Sequence, residues 1–117
     1  MQIDPRALTD RVLGMGERWA DQDAAASALE EVKKSVLAEA VAKVVDESLA
    51  AGGKPVSMVQ AEARALKSDG YKEHLAKMVE ARRVANRARV AYDMGKVELE
   101  LIRSQMATMR AEISMGR

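Results

Sequence analysis

Cysteine is absent from this sequence, and so is phenylalanine. The first absence excludes disulfides, thiolate nucleophiles and thiolate zinc sites, and it fits a reducing, cytoplasmic setting. The second leaves one tryptophan, Trp19, and two tyrosines, Tyr71 and Tyr92, so the bulky rings that dominate globular cores are scarce. There is a single histidine, His74. One imidazole without a spaced second ligand is not a metal site, and no nucleophile stands beside it for a general base to activate. His74 therefore reads as a surface or seam-edge residue. Nowhere do eighteen apolar residues run together, and the opening Met1-Gln-Ile-Asp-Pro-Arg lacks the basic segment and apolar run of a secretion signal. A protein with no membrane contact, no cofactor and no enzymatic activity is expected.

What remains is a chain of 117 residues rich in Ala, Val, Leu and Met, with 32% of its residues charged. That length is one domain's worth of material, and that composition suits long helices packed along their lengths. The near-zero net charge conceals an asymmetry. Residues 1–51 carry six Lys/Arg against ten Asp/Glu, whereas residues 52–117 carry thirteen against eight. An acidic half followed by a basic half implies that the two pack together or that the basic half meets a polyanion.

Local signals divide the chain into helices. Asp4-Pro5 supplies a cap acceptor and a proline that costs nothing in a first turn, opening a short helix over about 5–13. Gly14 and Gly16 loosen it. Leu29, Val32, Val36, Leu37, Val41, Val44, Val45 and Leu49 then recur at three- and four-residue steps, predicting a long helix over about 17–50. Gly52-Gly53-Lys54-Pro55 makes a turn at 51–56, and Ser57 with Gln60 forms a capping box for a short helix over about 58–67. The Gly-Gly-Lys of this turn lacks the spacing of a phosphate-binding loop. Ser68 or Asp69 caps a last helix over about 70–115.

That last helix carries the strongest pattern. Met78, Ala85, Tyr92, Leu99, Met106 and Ile113 stand seven apart, and Ala81, Ala88, Gly95, Ile102 and Met109 follow three residues after the first five. Such a seam predicts supercoiling with a partner helix. A second apolar line, Val90, Met94, Val97 and Leu101, lies on another face. The predicted fold is therefore all-α: a long helical hairpin, residues 17–50 folding back on 71–100, with a C-terminal heptad helix that assembles into a homo-oligomer. Its interface residues are expected to be Tyr92, Leu99, Ile102, Met106, Met109 and Ile113.

A basic row flanks the seam at Arg82, Arg89, Lys96, Arg103, Arg110 and Arg117, with Glu98, Gln105 and Glu112 on its other side. In a parallel coiled coil Glu98 meets Arg103, Gln105 meets Arg110 and Glu112 meets Arg117 on the partner, which reads the row as a register device. The other reading rests on Arg82, Arg83, Arg87 and Arg89, where the flanking row offers only Val84 and Ala91. Unpaired arginines on an exposed helix suit phosphate contacts, and Tyr71 and Tyr92 are candidate base-stacking rings.

The segment Tyr71–Gly95, with its Ala-Arg-Val-Ala-Tyr-Asp at 88–93, and the tail Met109-Arg-Ala-Glu-Ile resemble short helical proteins that phages encode beside single-strand annealing and recombination genes. More distantly, they resemble the recombination mediator of T4-like phages. The resemblance covers residues 60–115 and implies a helical oligomer in the bacterial host cytoplasm. Such an oligomer binds single-stranded DNA through basic helix faces and meets a recombinase or single-strand-binding protein. Carried over, it makes Arg82, Arg83, Arg87 and Arg89 the DNA contacts. The expected function is thus a phage-type accessory protein of DNA recombination or replication. The rival expectation is a protein–protein module, an assembly scaffold or an inhibitor of a host defence complex, with no nucleic acid involved.

Overall fold

A computed structural model of the chain describes residues 4–116. These residues form four helices and no strand: α1 (Pro5–Glu31), α2 (Lys33–Ala50), α3 (Met58–Leu66) and α4 (Asp69–Met115). The fold is all-α. It divides into two compact units, one made of residues 4–23 with 84–116 and the other of Ala24–Arg83.

In the first unit, Asp4 opens α1 by accepting the Arg6 N–H on Oδ1 at 2.9 Å, while its carbonyl accepts the Leu8 N–H at 3.1 Å. Leu8 and Val12, one turn apart on α1, form a small buried core with Leu99 of α4, and Tyr92 and Ile102 pack against it. Further along α1 the partners come earlier in α4. Val12 and Met15 flank Gly95, and Gly16 faces Tyr92. The Trp19 ring lies 5.9 Å from that of Tyr92. The helices therefore run antiparallel, as a hairpin requires.

This arrangement corrects two expectations. No break separates a helix over 5–13 from one beginning at 17, because α1 runs straight through Gly14 and Gly16. A glycine inside a helix costs about 1 kcal/mol relative to alanine. At Gly16 the close approach offsets it, since a Cβ there would stand 3.1 Å from the Tyr92 ring. On the facing helix, a Cβ at Gly95 would stand 3.0 Å from Met15 Sδ and 3.2 Å from Val12 Cγ2. Paired glycines on opposed helices let the backbones approach more closely than any other residue permits. The second correction concerns the seam. Tyr92, Leu99 and Ile102 were expected to face another subunit, yet α1 of the same chain covers them.

In the second unit, α1 ends at Glu31 and α2 begins at Lys33, so the predicted single helix over 17–50 is interrupted at Val32 (φ −87°, ψ 2°). Glycines 52 and 53 turn the chain after α2 with positive φ of 72° and 95°, the conformation that glycine reaches without strain. The Val56 N–H returns to Ser48 Oγ at 3.1 Å and ties the turn to α2. Ser57 Oγ accepts the Gln60 N–H at 3.2 Å and caps α3, which buries Ala61 and Ala65. Ser68 leads into α4 by donating to the Ala65 carbonyl at 2.6 Å, while its own carbonyl accepts the Lys72 N–H at 3.0 Å.

The two kinds of glycine make opposite predictions. Gly14 is exposed and has open space where a Cβ would stand, so Gly14→Ala is expected to stabilise the protein by about 0.5–1 kcal/mol. Gly95→Leu must force α1 and α4 apart and is expected to destabilise despite its better helix propensity. Leu99→Ala, which empties the hairpin core, should cost roughly 2–3 kcal/mol. Urea unfolding of the three variants beside the parent checks all of these.

Candidate functional site

The arginines singled out in the sequence fall into both units. Arg82 and Arg83 belong to the second. Arg82 was expected to lack an interhelical partner, and the structure corrects this. Its Nε donates to Glu30 Oε1 at 2.8 Å and its Nη2 to Glu30 Oε2 at 3.2 Å and Ser27 Oγ at 3.3 Å, a forked grip on α1. Glu30 of α1 supplies the charge. Arg83 pairs with Glu80 one turn back at 3.1 Å. The Arg83–Glu80 pair is well exposed and the Arg82–Glu30 pair partly so, and exposed pairs contribute about 1 kcal/mol or less.

Arg87 and Arg89 belong to the first unit. Both are exposed, and among the described residues neither has an ion-pair partner. Lys96 of the basic row, and Glu98 on the other side of the seam, have contacts within the chain. Glu98 binds Arg11 of its own chain at 3.2 Å, and Lys96 binds Asp93 at 3.4 Å while its Nζ lies 4.5 Å above the Tyr92 ring. The pairing expected for Arg117 lies outside the described residues.

The candidate stacking rings are also engaged. Tyr71 is buried, and Tyr92 is held between Gly16, Trp19 and Lys96. Neither presents an open face for a base.

The chain matches no known protein family, curated protein or solved structure. Function therefore has to be read from the surfaces themselves.

Among the described residues an apolar surface in each unit lacks cover. In the first unit, α1 covers the side of α4 carrying Tyr92, Gly95, Leu99 and Ile102. At about 100° per residue the second apolar line, Val90, Met94, Val97 and Leu101, falls on nearly the opposite side. These four are 56%, 67%, 59% and 58% exposed. Met109 and Ile113, expected in the oligomer interface, are exposed as well, and Met106 is half-buried. In the second unit a groove of about 600 Å³ lies along α2 and α3, lined by Leu37, Val41, Val45 and Met58 with Lys34 and Glu62 at its rim.

His74 has a role that sequence did not disclose. It is buried, not at the surface, and Nε2 donates to the Leu29 carbonyl at 2.9 Å. A carbonyl only accepts, so the proton sits on Nε2. Leu29 lies one turn before the interruption at Val32, where the Val32 N–H still reaches Ala28 at 3.3 Å and the Val36 N–H reaches Val32 at 3.0 Å. A side-chain donor entering the ladder of backbone bonds is a recognised cause of a helix break. No proline or glycine marks the place. Among the described residues no cluster of three or more His, Asp or Glu is arranged to hold a metal, and no helix is long and apolar enough to cross a membrane.

Removing the imidazole leaves the Leu29 carbonyl without its donor inside the fold. His74→Ala is expected to lower stability by about 1–3 kcal/mol. His74→Gln, whose amide reaches less far but still donates, should recover part of that loss in the same unfolding experiment.

Proposed function

We propose that this chain is a helical assembly scaffold that works by docking α4 against other protein chains, and that it is not an enzyme. One observation carries the reading. Val90, Met94, Val97 and Leu101 form a continuous apolar stripe, more than half exposed, on a helix whose other side is already covered by α1. Isolated apolar residues on a surface need no explanation, but four at heptad spacing on one face mark a helix-docking surface. The single histidine is engaged by a backbone carbonyl, which supports the non-enzymatic part.

A second reading has its own observation. Arg87 and Arg89 remain exposed and without ion-pair partners among the described residues. That supports the phage-type role in DNA recombination or replication, with these two as phosphate contacts and a recombinase or single-strand-binding protein as partner. It is weakened by the engagement of Arg82, Arg83 and both tyrosines within the chain.

The assembly reading predicts a mass in solution above the single-chain 12.8 kDa at high concentration. Met94→Glu with Val97→Glu should return it to the single-chain value with helical content unchanged, by placing charges in the contact. Light scattering with circular dichroism decides this, and a parent protein that stays a single chain at all concentrations would overturn the reading. For the DNA reading, a labelled single-stranded 40-mer should be bound in a salt-sensitive way and released by Arg87→Glu with Arg89→Glu. Absence of binding at low salt removes that reading.

A further inference from the structure

The charges around the exposed stripe of α4 are not arranged at random. At about 100° per residue, Arg87 and Glu98 fall on one flank of Val90, Met94, Val97 and Leu101. On the other side Asp93 and Glu100 flank the stripe with Arg89 further round, while Lys96 turns toward the Tyr92 ring on the side that α1 covers. All of these are exposed. Each flank begins basic and ends acidic.

The consequences differ with the direction of a helix laid on this face. In an antiparallel pair related by a two-fold axis near Met94, each flank meets the same flank of the other helix in reverse. Val90 then lies across from Val97 and Met94 across from Met94. On the first flank Arg87 meets Glu98. On the second, Arg89 meets Glu100. Both arginines find an acid. In a parallel pair, one flank meets the other in the same direction, which places Arg87 beside Arg89 and Glu98 beside Asp93 or Glu100. Like charges then face each other throughout, and such juxtaposition selects against that arrangement.

We propose that the Val90–Leu101 face of α4 is a docking site for the same face of a second copy of this chain, held antiparallel by Arg87–Glu98 and Arg89–Glu100 pairs across a two-fold axis near Met94. This rests on the assembly reading above and names its partner. It also accounts for the two arginines that have no ion pair within the chain. The intrachain pair Arg11–Glu98 at 3.2 Å is exposed and leaves a carboxylate oxygen for the second contact. Four apolar residues a side make a small interface of the transient class, so association follows concentration.

The absence of cysteine allows a single spin label to be placed cleanly. Thr108→Cys lies beyond the contact on the exposed end of α4. An antiparallel dimer centred at Met94 puts the two labels about 40 Å apart at 1.5 Å rise per residue, whereas a parallel one puts them at about 10–15 Å. Electron–electron resonance at high protein concentration is expected to give the long distance. Charge exchange is the second readout. Arg89→Glu alone should weaken the dimer tenfold or more, and Arg89→Glu with Glu100→Arg should restore it, because the pair is rebuilt with its signs reversed. A dimeric mass with the short distance, or with no restoration in the double variant, overturns the antiparallel pairing and leaves the assembly reading standing. A single-chain mass overturns both.

Discussion

The close approach of α1 and α4 is the constraint on which the first unit depends. It is made by two glycines on opposed helices, Gly16 under the Tyr92 ring and Gly95 against Met15 and Val12. Because these contacts are tight, the small core of Leu8, Val12 and Leu99 excludes water with very few large side chains, as a chain without phenylalanine must. The same approach assigns the faces of α4. One side packs against the chain itself, and the apolar residues on the other side stay exposed.

The second unit uses polar contacts where the first uses steric fit. Arg82 grips Glu30 and Ser27, and His74 caps the Leu29 carbonyl where α1 gives way to α2. Exposed ion pairs supply little free energy, so their value here lies in fixing the register of α4 against α1. The histidine bond is different in kind. It is buried, and its loss strands an acceptor that water reaches poorly. A residue type often associated with catalysis or metal binding is here a structural donor.

Much of this was legible in the sequence, for identifiable reasons. Capping by Asp4 and Ser57, the Gly52–Gly53 turn and the long C-terminal helix are written in local chemistry, and local chemistry decides them. The opposed charges of the two halves anticipated packing between them, of which the Arg82–Glu30 pair is an instance. Two features were not legible. Gly14 and Gly16 read as a break because a glycine's meaning depends on what stands opposite, and Tyr92 is 76 positions from Gly16 in the chain. The interruption at Val32 carries no local mark, and the group that meets the Leu29 carbonyl beside it is a histidine on another helix. Likewise the seam of α4 announced a partner helix, but periodicity cannot say whether that partner comes from the same chain. For Tyr92, Leu99 and Ile102 it does.

The account turns on a helix with one side closed by its own chain and the opposite side exposed, and on the proposal that a second chain covers that exposed side. Methionine oxidation by hydroxyl-radical footprinting reads both sides at once, since Met15 lies at the hairpin contact and Met94 at the centre of the exposed stripe. The account predicts that Met15 reacts at a low, constant rate, while Met94 reacts quickly in dilute protein and slowly in concentrated protein. A Met94 rate that stays high at every concentration, or a Met15 rate that changes along with it, would contradict that claim.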